Sequence, residues 1–492
     1  MRILLIRPPY RYVPGSVAGE IELPIGVIQL AACLEAAGHT VRVYDAAVRY
    51  DLDRMNAEDD SGCGEVHIGD TWEAFRREIA AEPWDLVGVS NQFYTQMPYA
   101  LEAARVVRET LPEALVVIGG PPATVRPDDY LAEPAVDAVL RGEADETLVR
   151  LAGALESGRD YADIDGLSLR HPDGSHRHNP PASPPRDLDA LPLPAYHRLN
   201  LEEHYHAVRR DDEKGWRFEA RRVIPIVTSR GCPFNCSFCS IHLHMGRRWR
   251  ANSVEYVLDH VRHIVTELGV RTVFFMDDNF GLDARRLEAI LDGLIAMKAE
   301  GLGIEWRTPT GMRVDRLTRA ILAKAREAGC VAISLAVESG SQRVLDEVIH
   351  KKLDLDKVLE VAGWCREVGI KARAGYIMGM PGETLDDMLE TVRFALRLKK
   401  RYRIRGHLAT ATPFYGTELH AICEREGYLI KPMTPENVAR GVQGESMIET
   451  PEFTPGDLIR IRQKFESQGG WLRRTLREMD RRRRHLLKRQ VE

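Results

Sequence analysis

No run of about 18 apolar residues occurs in the chain of 492 residues, so the sequence offers no membrane-spanning helix. The amino-terminal apolar stretch, Ile3-Leu4-Leu5-Ile6, is too short for the core of a secretory signal and reads as a strand running into Pro8-Pro9. Charge of one sign is lacking too: 68 Lys and Arg stand against 73 Asp and Glu, a formal net charge of −5. A chain so near neutrality carries no global signal for nucleic acid. Cysteine is scarce, with 8 in the whole chain, which argues against a disulfide framework. Repeats of solenoid period are absent. Apolar residues at 44% and charged residues at 29% set aside a disordered, collagen-like or coiled-coil chain. What remains is a cytoplasmic globular protein, of two to four domains at roughly 100–200 residues each.

The first 155 residues alternate strand and helix patterns. Apolar runs predict strands over 3–7, 41–44, 86–90, 115–119 and 138–140, and helix periods fall over 25–37, 99–111 and 146–155. Nearly continuous apolar strands joined by helices indicate an α/β domain, a Rossmann-like (flavodoxin-like) parallel sheet covered on both faces. Ligands bind such sheets at the carboxyl ends of the strands. The sequence places Pro8-Pro9-Tyr10, Ser90-Asn91-Gln92, Gly119-Gly120-Pro121 and Gly142-Glu143 there. Gly119-Gly120 has a second reading, a tight turn.

Residues 156–221 read as a connector. A small hairpin over 171–178 turns on Pro172-Asp173-Gly174, and a proline-rich linker over 179–194 blocks helix and sheet alike. A second alternating block over 222–420 holds strands at 223–228, 272–276, 304–308, 332–337, 371–377 and 404–409. Helices are predicted between them at 254–268, 284–299, 316–328, 356–368 and 385–398, which makes a partial (β/α)6 barrel. Residues 421–492 read as mainly helical. The helix predicted over 456–490 ends in Arg481–Arg484, Lys488 and Arg489, a solvated end in preference to a binding tail.

The informative stretch is Ser229-Arg230-Gly231-Cys232-Pro233-Phe234-Asn235-Cys236-Ser237-Phe238-Cys239-Ser240, directly after the first barrel strand. Three thiolates in C-x3-C-x2-C spacing on one loop can face a common point, as an iron–sulfur cluster requires. One iron of a four-iron cluster would stay open for another ligand. Zinc would want a fourth ligand, for which His242 and His244 are near enough in sequence. Phe238 would shield a cluster from water. Asp277-Asp278-Asn279 ends the second barrel strand, pointing into the barrel mouth or capping the following helix. Glu338 and Ser339 end the fourth strand, where the Glu338 carboxylate could accept from a ribose or an ammonium. Arg313 follows the third strand, as a carboxylate binder or a surface residue.

At these residues the sequence resembles the radical S-adenosylmethionine (SAM) superfamily. The resemblance implies that Cys232, Cys236 and Cys239 ligate a 4Fe–4S cluster whose open iron holds the amino and carboxylate groups of SAM. It implies reductive cleavage of SAM to a 5′-deoxyadenosyl radical, with electrons from an external donor such as flavodoxin or ferredoxin. The segment Gly375-Tyr376-Ile377-Met378-Gly379-Met380-Pro381-Gly382 resembles the superfamily's G-x-I-x-G-x-x-G, which packs on the adenine; Gly375, Ile377 and Gly379 are its matching positions. The amino-terminal block narrows the likeness to the cobalamin-binding radical SAM enzymes. That match runs over 116–124, 140–147, 187–194 and the barrel, about residues 1–420 in all. It implies that Ser90, Gly119, Gly120, Gly142 and Glu143 line a cobalamin site. The cobalt-ligating D-x-H-x-x-G motif of many cobalamin proteins is missing: the domain's histidines, His39 and His67, have the wrong context.

The leading expectation is cobalamin-dependent methylation of an unactivated carbon in a small molecule of natural-product biosynthesis. The alternative keeps the radical chemistry without methyl transfer, as a dehydratase, cyclase or rearrangement enzyme acting, for example, on an aminoglycoside. A zinc-binding structural or regulatory protein is a third reading. Substrate contacts are expected around Tyr205, His206 and Trp216 and over 437–452; no acid or base residue is assigned.

Overall fold

The computed structural model describes residues 1–12, 23–48, 66–171, 173–205 and 222–467. The expected contacts His206 and Trp216, the thiol Cys63, the turn residue Pro172 and the basic run from Arg481 to Arg489 lie outside them.

The amino-terminal sheet uses β1 (Arg2–Arg7), β3 (Thr40–Asp45), β5 (Leu86–Ser90), β6 (Leu115–Gly119), β7 (Ala138–Leu140), β8 (Leu167–Arg170) and β9 (His176–His178). A short antiparallel ribbon beside it pairs β2 (Tyr10–Tyr12) with β4 (Val66–Ile68). The seven strands of the sheet run in the order β3-β1-β5-β6-β7-β8-β9. The first five are parallel, and the order reverses between β1 and β5, which is where ligands enter such sheets. Alternation along each strand explains the unbroken apolar runs. Ile3, Leu5, Leu86 and Val117 feed one core, while Leu4, Ile6, Val87, Val89, Val116 and Ile118 feed the other. The first of these cores continues into the second domain, through Ile224, Ile226 and Val273.

The hairpin corrects the expected boundary at residue 155. β8 and β9 add to β7 in antiparallel pairing, so the strands belong to the first sheet and not to a connector. The cause is the apolar alternation of Leu167 and Leu169, both buried in that sheet's core. The proline-rich linker is no free spacer either. Gln29 Nε2 donates to Pro192 O at 2.9 Å, and Asp189 Oδ1 accepts from Asn252 Nδ2 at 3.0 Å and Ser253 N at 2.9 Å. It is strapped to both domains.

The second sheet orders β10 (Val223–Ile226), β13 (Thr272–Phe275), β14 (Glu305–Met312), β15 (Cys330–Glu338), β16 (Lys371–Met378) and β17 (Arg405–Thr410) side by side, all parallel. Strands β10 and β17 are its two edges, so the (β/α)6 barrel is open. Helices Val254–Thr266, Ala284–Ala299, Arg319–Glu327, Leu355–Val368 and Leu385–Tyr402 cover the outside. The third begins three residues later than the sequence suggests. A 3₁₀ turn takes Val314–Arg316, and the Thr318 side chain caps the helix by accepting from Ile321 N.

The carboxyl-terminal helices Glu418–Arg425, Pro435–Val442 and Pro455–Ser467 pack back on both domains. Tyr94 OH, just past β5, and Tyr415 OH, past β17, both donate to Met433 O, at 3.0 and 3.1 Å. Among the described residues no helix is long and apolar enough to cross a membrane.

Candidate active site

The cysteine loop leaves β10 and returns through a two-residue ribbon, β11 (Ser229–Arg230) paired antiparallel with β12 (Arg250–Ala251). Glycine is required between Arg230 and Cys232. Gly231 has φ +84°, and a Cβ there would lie 2.4 Å from Arg248 O. Asp277, wholly buried at the end of β13, anchors the start of the loop. Its carboxylate accepts from Thr228 N, from Thr228 Oγ1 at 2.8 Å and from Ser229 Oγ at 2.5 Å. Asp283 caps the next helix through Arg285 N and Arg286 N, so Asp277-Asp278-Asn279 is free of that duty. Asn279 Nδ2 donates to Cys232 Sγ at 3.0 Å. Burial, then the Asp277 charge, pushes Asp278 up to about 6.

The far side of the loop is held by the segment that follows Val348. Ser237 N donates to Ile349 O at 3.1 Å and Ser237 Oγ to Val348 O at 2.8 Å. Arg313 stacks over the Phe234 ring at 3.6 Å while bonding Asp315 and Lys351 O. Cys232, Cys236 and Cys239 are all half-buried and free. Burial pushes the Cys239 thiol up to about 11, with Cys236 and Cys232 adding to it. Burial raises Cys236 too, against the pull of the Lys351 cation. Among the described residues no group of three or more His, Cys, Asp or Glu side chains is gathered to hold a metal ion. A single zinc ion, with Zn–S near 2.3 Å, needs such a tight gathering. A four-iron cluster spreads its thiolates wider, and three mutually interacting thiols with a sulfur-directed donor suit it. Burial lowers the pKa of His244, at the end of the short helix Ile241–His244.

The barrel's inner face is open. Side chains alternate along β15 and β16: Leu335, Val337, Ala374, Tyr376 and Met378 are buried, whereas Ser334, Ala336, Glu338, Gly375 and Ile377 are half-exposed. Small inward residues leave room where a closed barrel would be filled. A Cβ on Gly375 would meet nothing within 4 Å. Glu338 sits at φ +72° and pairs with Lys351 Nζ at 2.8 Å.

Three expected SAM contacts are corrected. Ser339 is fully buried, and its hydroxyl is spent on Thr391 Oγ1 at 3.1 Å and Ser341 N at 3.1 Å. Gly379 faces the carboxyl-terminal helix, where a Cβ would lie 2.9 Å from Leu458 Cδ1; its N–H donates to Glu383 Oε2 at 2.7 Å. Arg313 is committed to the cysteine loop and is no open carboxylate binder. Gly375, Ile377 and Glu338 are half-exposed on the inner face.

On the amino-terminal domain, Ser90, Gly119 and Gly142 are half-exposed at the carboxyl ends of β5, β6 and β7. Gly120 is corrected: at φ +129° its Cβ would lie 1.9 Å from Asn91 O, so the missing side chain admits neighbouring backbone and not a ligand. Glu143 is corrected also, being buried and bonded to Arg230 and Arg250. The two histidines within residues 1–155, His39 and His67, are not among these rim residues. His39 precedes β3 at the opposite edge, and His67 Nε2 bonds Asp70 O at 2.9 Å. The rim thus fits a bound cobalamin through backbone and small residues without offering a cobalt ligand from either of them. Sequence reasoning missed Lys351 and the arginine pair; the charged positions 143, 145, 230 and 250 beside strand ends were the available signal for the last.

A parallel ligand-binding domain in front of an open barrel with a C-x3-C-x2-C loop defines a radical SAM enzyme with a cobalamin-binding domain. The Radical SAM superfamily model matches residues 226–395, and the B12 binding domain model matches residues 13–152. An uncharacterized methyltransferase of Pyrococcus horikoshii is 31% identical over 420 residues, spanning 85% of this chain and 82% of that protein. The cytidylyl-2-hydroxyethylphosphonate methyltransferase of Streptomyces wedmorensis is 26% identical over 466 residues, covering 89% and 84%. Among solved structures, the radical SAM methyltransferase TsrM from Kitasatospora setae, with cobalamin and a 4Fe–4S cluster bound, superposes with TM-score 0.68 at 16% identity, covering 94% and 90%. The chain belongs to the cobalamin-dependent radical SAM methyltransferase family, and its cofactors are a 4Fe–4S cluster, SAM and cobalamin.

Proposed function

We propose that the chain methylates an unactivated carbon of a small molecule in natural-product biosynthesis. The observation that carries this reading is a pair of half-exposed strand-end sets, Ser90, Gly119 and Gly142 on one sheet and Glu338, Gly375 and Ile377 on the other, in two domains that Glu143 and Arg230 join beside the cysteine loop. When bound, the cluster with SAM supplies a hydrogen-abstracting 5′-deoxyadenosyl radical and the cobalamin supplies a methyl group. The chain's own part is placement. Cys232, Cys236 and Cys239 hold the cluster at the mouth of the open barrel. Gly375 and Ile377 leave a flat surface for the adenine, and Glu338 with Lys351 presents a buried charge pair beside it. Electrons reach the cluster from an external carrier of the flavodoxin or ferredoxin kind. Relatives named as methyltransferases over more than four-fifths of their length support methyl transfer as the outcome.

The test is product accounting on reconstituted, anaerobic enzyme. A methylase forms S-adenosylhomocysteine and 5′-deoxyadenosine in comparable amounts, and its product gains one carbon. Formation of 5′-deoxyadenosine and methionine alone, with unchanged carbon count, overturns methylation in favour of dehydration, cyclisation or rearrangement.

A further inference from the structure

Four charged side chains, three of them buried and Arg230 nearly so, join the two domains. Arg230 Nη1 donates to Glu143 Oε2 at 2.9 Å and to Asp145 Oδ2 at 2.6 Å, and its Nη2 to Asp145 Oδ1 at 3.2 Å. Arg250 grips the same Glu143 with both nitrogens, Nη1 to Oε2 at 3.1 Å, and also donates to Pro185 O at 2.9 Å and Met245 O at 3.2 Å. The Glu143 and Arg250 side chains are 2% and 5% exposed. The charges balance, two against two. Arg230 and Arg250 stand directly opposite each other in the β11–β12 pairing, an arrangement that like charges disfavour unless a carboxylate bridges them. Glu143 is that bridge.

The placement gives the cluster its meaning. Glu143 follows Gly142 on the cobalamin-side rim, and Arg230 stands two residues before the cluster ligand Cys232. A path of five residues therefore joins the two reacting centres, and Pro185 ties the linker to it. Stability alone does not account for four charges here, because apolar residues of similar volume commonly hold a buried contact as well or better. What buried, mutually paired ions supply is a unique register, since any slip leaves a desolvated charge unpaired.

We infer that Glu143, Asp145, Arg230 and Arg250 are positioning residues that fix the register of the cobalamin-side rim over the cysteine loop, so that the substrate radical meets its methyl donor before it is lost. This rests on the methylase reading above. Radical formation needs only the barrel, whereas methyl transfer needs both domains in register. A shift of about 1 Å between reacting groups can cost roughly a hundredfold in rate.

The experiment uses full-length enzyme carrying Glu143→Gln or Asp145→Asn, with Arg105→Gln, in an exposed ion pair inside the amino-terminal domain, as control. Each is measured for iron, cobalamin, 5′-deoxyadenosine and methylated product. Both test variants keep the cluster and SAM cleavage at the wild-type level, while methylated product per 5′-deoxyadenosine falls about tenfold or more. The control keeps the ratio. On cofactor-free protein, hydrogen exchange speeds up at Ser229–Arg230 and at 140–145 in the same variants. An unchanged product ratio, or product and SAM cleavage falling in equal proportion, overturns the assignment. Should Glu143→Gln not fold, Asp145→Asn leaves the Arg250–Glu143 contact intact and decides the matter. If wild-type enzyme yields no methylated product, the methylase reading fails by itself; the exchange measurement still judges the lock, and unchanged exchange overturns it.

Discussion

Asn279 Nδ2 points its hydrogen at the sulfur of Cys232, 3.0 Å away. Hydrogen bonds to cluster sulfurs raise the reduction potential, since they stabilise the added electron. Asn279→Leu removes the donor at nearly constant volume. One lost bond of about 1 kcal/mol corresponds to a shift of ~40 mV for a one-electron couple, given ~59 mV per tenfold change. The expected result is a more negative midpoint in a potentiometric EPR titration and slower SAM cleavage, with iron content retained. Cys236→Ala, by contrast, loses the stable cluster altogether, while Cys330→Ala, deep in the barrel wall, keeps it.

Lys351 and Glu338 form a nearly buried pair at the open barrel mouth. Lys351→Met strands the Glu338 carboxylate without its cation, which burial penalises. SAM affinity, measured by equilibrium dialysis on the clustered enzyme, is expected to weaken by about tenfold, in line with ~1.5–3 kcal/mol for a bond to a charged group. Adding Glu338→Gln to Lys351→Met costs less than the sum of the two single changes. Strict additivity would show that the pair does not act as one unit.

The paired glycines of β6 part company. Gly119→Ala puts a Cβ 3.5 Å from Leu140, an ordinary contact, and leaves the thermal midpoint near wild type. Gly120→Ala drives its Cβ into Asn91 O at 1.9 Å from a left-handed backbone. That variant is expected to lose about 2 kcal/mol or more and its cobalamin with it. Equal melting temperatures for the two would contradict the close approach of these strand ends.

Glu383 is fully buried, bonding Gly379 N and Met380 N through Oε2, and burial raises it to about 8. In the unfolded chain it titrates near the ordinary glutamate value of 4.5. Between those values the folded form holds the extra proton. Its contribution to stability is therefore complete below about 4.5, declines as pH rises and is exhausted above about 8. Glu383→Gln keeps both backbone contacts and removes the titration. Thermal midpoints at pH 5, 6.5 and 8 should show a decline in wild type that is shallower in the variant; parallel curves would refute the buried neutral acid.

The strands of the first sheet were legible because their apolar runs are dense and sharply bounded. Those over 86–90, 115–119 and 138–140 match β5, β6 and β7 residue for residue. The cysteine loop was legible for a different reason, its spacing. Direction of side chains was not. Glu143, Ser339 and Gly379 all stand at strand ends as expected, yet each turns inward, to arginines, to a threonine and to a leucine of the last helix. Pairing between elements far apart in sequence decides that, and no local pattern encodes it. Lys351 was invisible because His350-Lys351-Lys352 reads as a solvated charge run. Left-handed backbone at His350 and Lys352, φ 61° and 52°, rolls Lys351 alone inward.

The shared carbonyl of Met433 has a temporal consequence. Tyr94 and Met433 are separated by 339 positions along the chain. During synthesis at roughly 5–20 residues per second, about 20–70 s pass between the emergence of the two. The amino-terminal sheet, whose five parallel strands are complete by Leu140, is then free to fold while its future cover has not been made. For that interval the rim at Ser90, Gly119 and Gly142 faces bulk solvent, and a bulky cofactor can reach it without any opening motion. After Met433 arrives, its carbonyl accepts from both tyrosines and ties the carboxyl-terminal segment to the amino-terminal domain. The order of translation thus builds the strand ends of the first sheet well before the segment that ties the two domains together.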